Sequence, residues 1–369
     1  MAQESQKRRI VLASLLKPVD DTRMTEKMGA SLAATGSYEV FVIGYPSQGP
    51  MPVGVNALPL HPFPRLSWRR WWARWSAFGL AFSQRPDLFI FSTHELIFPA
   101  LALKVILGTR IIYDVRENYY RNIRLSEGMP WLIRWPLAML VRLKEKILAP
   151  AIDHFLLAEK GYEQEFRFHR GGWTVIENKA LPVMATSRSK DPHQLTLLFT
   201  GTLSRSTGVF RAIQLAARLN QEDARVKLII AGYAASAEVR KKLGEALHGK
   251  PFIQTIGIDT LVPHHEILSL IAVADAGLIA YPSLPHTINS VPTKLFEYLQ
   301  AHLPIITERH WPWVQRFAQA QPFILTDYEN PDAKGIINSL INNTFYTESP
   351  RETGWPNEAS RLLGTLAKL

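Results

Sequence analysis

Short apolar runs rich in β-branched residues alternate with longer stretches of helical periodicity along nearly the whole chain, and this rhythm limits the fold more than any other feature. The runs fall at 10–16, 40–43, 88–92, 110–113, 154–158 and 173–176. After a polar break at 186–193 they resume at 195–200, 226–231, 253–256, 276–280, 303–307 and 322–325. Strands this apolar are buried on both faces, which calls for helices on both sides of a parallel sheet. Two such sets, divided near residue 190, predict two Rossmann-like, doubly wound α/β domains facing across a cleft, one over 1–185 and one over 190–345. A last helix within 346–369 is expected to pack back on the first domain. The length, 369 residues, also exceeds what one core ordinarily serves. In open parallel sheets ligands bind outside the carboxyl ends of the strands, so the informative residues should lie just after strands.

Several function classes fall away. The 47% hydrophobic and 20% charged composition is globular. Cysteine is absent, which removes disulfides, thiol nucleophiles, thiolate zinc sites and iron–sulfur clusters, and fits a cytoplasmic location. No run of about 18 uncharged apolar residues occurs, and the start, MAQESQKRRI, leads into a strand and not into a signal-peptide pattern. The signatures of P-loop nucleotidases, dinucleotide dehydrogenases, zinc peptidases and serine hydrolases are missing. There is no Asp-x-Asp pair to hold a divalent ion on a diphosphate, and the side chains of adjacent Asp20 and Asp21 diverge on an extended chain. No metal is expected. A bound phosphate must then be neutralised by Lys, Arg and helix N-termini.

The segment 289–306, NSVPTKLFEYLQAHLPII, carries the most chemistry. Pro292 suits the first turn of a helix, where its missing N–H costs nothing, and Lys294 then stands among unpaired backbone N–H groups. Such a helix start attracts anions. Glu297, three residues on and on nearly the same face, can accept from a pair of sugar hydroxyls while Lys294 reaches phosphate. The plainer alternative is a surface lysine with a glutamate that complements the helix dipole. In 197–208, LLFTGTLSRSTG, a strand runs into a glycine turn and then a helix. Backbone N–H groups there suit a diphosphate, with Arg205 as a nearby cation. An ordinary strand–loop–helix with an exposed arginine reads equally well.

The stretch from Pro292 resembles the P-x-K-x-x-E-Y-x-x-x-x-x-P-I segment of the family-4, GT-B-fold glycosyltransferases, and similar strand-to-loop features extend over most of the chain. The resemblance implies transfer of a sugar from a nucleoside diphosphate sugar to a hydroxyl, with retention and without a cofactor. It implies an acceptor-binding N-terminal domain and a donor-binding C-terminal domain. Glu297 would bind the donor ribose, Lys294 would lie near the diphosphate, and the donor site would take in Gly201, Thr202, Arg205, Asn289 and Leu295. Asn289 stands where the family most often has a glutamate against the transferred sugar. Thr202 and Thr207 stand where many members have arginine and lysine.

The N-terminal half offers further candidates. In DLFIFSTHELIFPALALK, residues 87–104, Thr93, His94 and Glu95 fall at the carboxyl end of a buried strand. A histidine there can hydrogen-bond a sugar hydroxyl or cap the next helix. The family resemblance places such a histidine against the donor sugar and makes His94 the candidate catalytic residue. IIYDVRENYYRN, residues 111–122, is similar to the family's Tyr-Asp-Val-His-Glu segment, with Arg116 in place of the histidine. Asp114 and Glu117 become acceptor-side candidates, unless they merely pair with Arg116 or Arg121. In LLKPVDDTRM, residues 15–24, Lys17 and Arg23 can supply charge to a phosphate, while Asp20 or Asp21 can cap the following helix.

RLSWRRWWARW, residues 65–75, has the most unusual composition. As a helix it gathers Trp68, Trp71, Trp72 and Trp75 on one arc and turns Arg69, Arg70 and Arg74 the other way. Such a helix lies in a membrane interface, where each basic residue near an anionic leaflet adds about 1 kcal/mol. Residues 1–150 carry 20 Lys and Arg against 11 Asp and Glu, and the remainder 22 against 21, so the positive field sits in the first half. Two alternatives stay open: the tryptophans pack into the N-terminal domain, or the segment grips single-stranded nucleic acid by charge and stacking.

Taken together, these readings predict a glycosyltransferase, cytoplasmic and peripheral at the inner face of the cell membrane. Its partners would be a nucleotide sugar, a saccharide or lipid-linked acceptor, and an anionic membrane surface, in cell-envelope polysaccharide or glycolipid synthesis. The competing readings are a nucleotide-sugar epimerase of the same architecture and a non-catalytic membrane- or nucleic-acid-binding protein on a transferase scaffold.

Overall fold

Two all-parallel sheets form where the apolar runs predict them. The computed structural model describes residues 7–47, 49–63, 67–125, 130–168, 172–182, 191, 193–234, 236–283, 288 and 290–369. Asn289 and most of the polar break at 186–193 lie outside the described residues.

The chain divides into two units, Met1–Asn178 with Pro356–Leu369, and Lys179–Trp355. The first unit contains β1 (Arg8–Pro18), β2 (Tyr38–Tyr45), β3 (Val55–Pro59), β4 (Leu88–Phe91), β5 (Arg110–Val115), β6 (His154–Leu157) and β7 (Trp173–Val175), in the order β3-β2-β1-β4-β5-β6-β7. Leu12 of β1 sits opposite Val42 on one side and Ile90 on the other, which is why 10–13 is apolar throughout and fully buried. A π-helical stretch, Thr22–Gly29, runs into α1 (Ala30–Ala34). There follow α2 (Arg69–Gln84), a short turn His94–Leu96 leading into α3 (Ile97–Leu107), α4 (Tyr119–Arg124), α5 (Trp131–Leu148) and α6 (Tyr162–Glu165). Among the described residues no helix is long and apolar enough to cross a membrane.

The second unit repeats the scheme. It contains β8 (Leu195–Thr202), α7 (Val209–Glu222), β9 (Val226–Tyr233), α8 (Ala237–Leu247), β10 (Ile253–Ile258), α9 (His264–Val273), β11 (Ala276–Leu278), α10 (Thr293–Gln300), β12 (Ile305–Thr307), α11 (Pro312–Phe317), β13 (Phe323–Leu325) and α12 (Ala333–Asn342). The order β10-β9-β8-β11-β12-β13 reverses direction between β8 and β11, as the first sheet does between β1 and β4. Those reversals are where a doubly wound sheet opens a crevice for a ligand.

The chain leaves the second unit in α13 (Trp355–Leu366). Glu358 of α13 is fully buried and accepts a hydrogen bond from the Glu177 N–H at 3.0 Å, within the first unit. Each strand that the apolar runs predict is present. The sequence reading misses β3, an edge strand in which Val55 alone is buried, so its sequence, VNALP, carries no apolar run.

Candidate functional site

In the second unit, β8 ends at a tight backbone corner. Gly201 holds φ at 104°, a conformation other residues rarely adopt. Gly208 precedes α7 with φ 83°, and a Cβ there would lie 1.8 Å from the Ala280 carbonyl oxygen. The start of α7 is thus drawn against the end of β11, at the reversal of the sheet. Thr207 closes the intervening turn by donating to the Thr202 carbonyl at 2.7 Å and accepting from the Ser204 N–H at 3.1 Å. Thr202 and Arg205 are exposed.

Lys294 lies beside this corner. Pro292 is extended and forms the N-cap of α10 instead of its first turn, so the helix begins at Thr293 and Lys294 comes second. The lysine is only 6% exposed. Its Nζ sits 4.1 Å from the Phe199 ring centroid and 5.3 Å from that of Tyr281. Among the described residues the Nζ finds no hydrogen-bond partner. Gly201 borders it: a Cβ at that position would stand in ordinary van der Waals contact with Nζ, at 3.8 Å. Burial pushes the ammonium down to about 7, with Glu297 pulling the other way. Two aromatic faces attract a cation but give it no hydrogen bonds. An anionic oxygen would.

Glu297 stands one turn further along α10, and its Oε1 is 3.1 Å from His264 Nε2 of α9. With one carboxylate oxygen engaged, the other can accept from a hydroxyl pair. Leu295 offers no free backbone donor: its N–H reaches the Pro292 carbonyl at 3.0 Å and its side chain is wholly buried.

In the first unit, His94 follows β4. Lys144 of α5 places its Nζ 2.7 Å from His94 Nδ1 and donates to the His94 carbonyl at 2.7 Å. Tyr119 meets the ring edge-on at 5.0 Å between centroids. Burial, reinforced by the charges of Lys144 and Arg70, pushes His94 down to about 3. Burial also pushes Lys144 down to about 8, against the pull of Glu95 and Glu145. An ammonium donating to Nδ1 fixes the imidazole proton on Nε2. His94 is therefore neutral near pH 7 and serves as a hydrogen-bond donor through Nε2. Its neighbour Glu95 pairs with Arg70 of α2 at 2.5 Å.

The remaining candidates of this unit are drawn into ion pairs. Asp114 takes both its bonds from Arg23, at 2.6 and 3.0 Å, and Arg23 also donates to the Ile176 carbonyl at 2.9 Å. Both side chains are 1% exposed, so this pair holds β5 to the segment after β1 and faces no solvent. Arg116 forms a second two-pronged pair with Asp21, at 2.7 and 3.0 Å. Asp21 also caps the helical stretch after β1 by accepting from the Met24 N–H. Burial lifts the Asp21 carboxyl, but Arg116 outweighs it and holds the group below the usual range. Lys17 and Glu117 lie 3.4 Å apart, both partly exposed.

No family model and no curated protein matches the chain. Among solved structures it is similar to sucrose-phosphate synthase of Thermosynechococcus elongatus, at 15% identity and TM-score 0.72, with 98% of each chain covered. It is similar also to HepE of Anabaena in complex with UDP and glucose, at 14% identity and TM-score 0.65, covering 98% of this chain and 100% of that one. A third is an α,α-trehalose-phosphate synthase (UDP-forming) of Burkholderia xenovorans in complex with glucose-6-phosphate, at 10% identity and TM-score 0.64, with 98% and 100% covered. The chain has the GT-B fold. At such identities the likeness is one of fold and carries no activity with it.

Within this GT-B chain the tryptophan segment turns outward. Helix α2 buries only Ala73, Ala77 and Ala81, whereas Trp68 is 73% exposed and Trp71, Trp72 and Trp75 are also exposed. The alternative in which the tryptophans fill the core is overturned: alanines are the residues small enough for α2 to approach the sheet. The arginines do not form one free face. Arg69 is exposed, but Arg70 turns inward to Glu95 and the Arg74 guanidinium stacks 3.7 Å from the Trp71 ring centroid. The sequence reading misses Lys144, His264 and the Phe199–Tyr281 pair around Lys294. Tyr281 follows a strand and was legible on that ground; the others depend on contacts between distant segments.

Proposed function

We propose that the protein is a glycosyltransferase that moves a sugar from a nucleoside diphosphate sugar to a hydroxyl, with retention and without a metal. The observation that carries this reading is the Lys294 ammonium, buried at the carboxyl end of β8 with no hydrogen-bond partner among the described residues. A diphosphate beside Gly201 supplies the oxygens it lacks, and Glu297 takes the ribose diol. In the transfer the bond from the anomeric carbon to the phosphate oxygen breaks and a bond to the acceptor oxygen forms, while the acceptor proton leaves with the diphosphate. Charge grows on the departing diphosphate, and a preorganised cation there stabilises the transition state more than the ground state. Arg205 adds a second positive charge, and the family resemblance assigns Asn289 and His94 to the sugar. UDP is the first nucleotide to try, since it is bound in the HepE structure.

The acceptor in this reading is a membrane-associated or lipid-linked saccharide at the inner face of the cell membrane, in the making of envelope polysaccharide or glycolipid. The outward tryptophans of α2 support it. A thermal-shift screen of nucleotide sugars tests the donor site: hits should vanish in Lys294→Ala and in Glu297→Ala, and hits indifferent to both would remove the assignment. Product analysis separates transfer from epimerisation, which needs no acceptor and yields an isomerised nucleotide sugar. For the membrane, co-sedimentation with anionic liposomes should be lost when Trp68, Trp71, Trp72 and Trp75 are all changed to alanine. Unchanged sedimentation sinks it.

A further inference from the structure

Helix α5 turns a large apolar face to solvent. It buries Ala138, Val141 and Glu145 on one side. Away from them Trp131, Trp135, Met139, Leu143 and Ile147 recur at every fourth position, all exposed, from 42% at Met139 to 68% at Trp131. Each step of four turns about 40° further round the helix, so Trp135, Met139, Leu143 and Ile147 form a stripe that sweeps an arc of about 120° opposite the buried side, filled out by exposed Leu132 and Leu140 and with Trp131 at its edge. Over 18 residues the helix runs about 27 Å. Soluble surfaces rarely leave a continuous apolar patch of this extent uncovered.

The stripe belongs to the same part of the first unit as α2. Arg70 of α2 pairs with Glu95, and Lys144 of α5 pairs with the adjacent His94. The two helices therefore flank a single turn, and Phe98, in the first turn of α3 just beyond it, is also exposed. Charge decides what can cover such a surface. Of the cations on these two helices, Arg69 and Lys146 are exposed and Arg134 is half-buried, whereas Arg142 is held by Glu145 and Glu165, Lys144 by His94, Arg70 by Glu95 and Arg74 by the Trp71 ring. An apolar helix edged with positive charge and bearing tryptophans is matched by the headgroup region of an anionic bilayer. As no described helix can cross a membrane, the contact lies along the surface.

We propose that α5 is a second lipid-contacting helix, so that the first unit rests on an anionic membrane through α2 and α5 together. This rests on the reading of α2 as lipid-facing. The test uses the full chain and vesicles of equal phosphatidylcholine and phosphatidylglycerol, with pure phosphatidylcholine as the uncharged control. Three proteins are compared: the wild type, Trp131→Ser/Leu140→Ser/Leu143→Ser, and the α2 variant with four alanines. Because the three α5 positions are exposed, the serine variant should melt at the wild-type temperature. Its partitioning onto the mixed vesicles should fall at least about tenfold, and binding of the wild type to the uncharged vesicles should be weak. Serine substitution without loss, while the α2 variant detaches, overturns the role of α5 and leaves that of α2 standing. A wild type that never sediments overturns both. If the serine variant sediments normally but converts a self-associated species to monomer in light scattering, the stripe is covered by a second copy of this chain and the lipid assignment is wrong.

Discussion

Replacing Lys294 by methionine keeps the bulk of the side chain and removes its charge, which separates what the site costs from what it does. In the unfolded chain the lysine titrates at its ordinary 10.5, and in the folded protein at about 7. Below pH 7 folding therefore carries the whole cost of burying the ammonium. A displacement of that size is worth about 5 kcal/mol. Relaxation and water entry reduce it, so nucleotide-free Lys294→Met should be more stable than wild type by about 2–5 kcal/mol near pH 6. Methionine also packs well against the Phe199 and Tyr281 rings. For a unit of this size the gain raises the melting temperature by about 5–15 °C. Between pH 7 and 10.5 the folded state binds fewer protons than the unfolded state, so wild-type stability rises with pH across that window and the gap to the variant closes. Differential scanning calorimetry from about pH 6 to about pH 10 reads both effects. The same variant forfeits a charge-assisted bond worth about 1.5–3 kcal/mol, and calorimetric titration should show nucleotide affinity lower by about tenfold to a hundredfold. A variant that melts below the wild type at pH 6, or one that keeps full nucleotide affinity, refutes the reasoning.

Two further outcomes follow from the first unit. His94 is pushed down to about 3 when folded against 6.5 unfolded, so its contribution to stability is complete above pH 6.5 and is lost as pH falls toward 3. Nitrogen-15 NMR near neutral pH should find the His94 proton on Nε2, with a mixture of tautomers in Lys144→Met. A proton on Nδ1 in the wild type contradicts the Lys144 contact. Arg23→Met strands the Asp114 carboxylate in the core and should cost about 3–5 kcal/mol in urea denaturation, most of it recovered in Arg23→Met/Asp114→Leu. A cost below about 1 kcal/mol shows that the pair is not buried.

The fold was legible because a parallel strand covered on both faces has few ways to be written. β1 and β8 are apolar over their central residues, and their neighbours follow from the same constraint. Edge strand β3 escaped because it needs just one buried residue. Site residues divide along similar lines. Lys294 and Glu297 share one helix turn, so their relation is local and can be read from spacing. Arg23 and Asp114 stand 91 positions apart, and nothing in either segment announces that they satisfy each other. For the same reason the sequence leaves Asp114 open as an acceptor-side group and offers it and Glu117 as partners of Arg116 or Arg121, whereas Arg116 takes Asp21. The apolar residues of α5 recur at intervals of four, but Pro136 lies inside the helix and reads in the sequence as a break.

The short parallel bridge between Ala180 and Gly354 sets the two crossings of the chain side by side, and the Trp355 N–H fastens them by donating to the Ala180 carbonyl at 2.6 Å. The second unit is thus inserted into the first, and the order of translation follows. Seven strands emerge from the ribosome before the insertion, but their last covering, with Glu358, Leu362 and Leu366 at 0% exposure, emerges only after it. At ordinary elongation speed that interval lasts on the order of ten to thirty seconds. A nascent chain halted before Pro356 carries every residue of the inserted unit, while the unit that receives it still lacks its final helix.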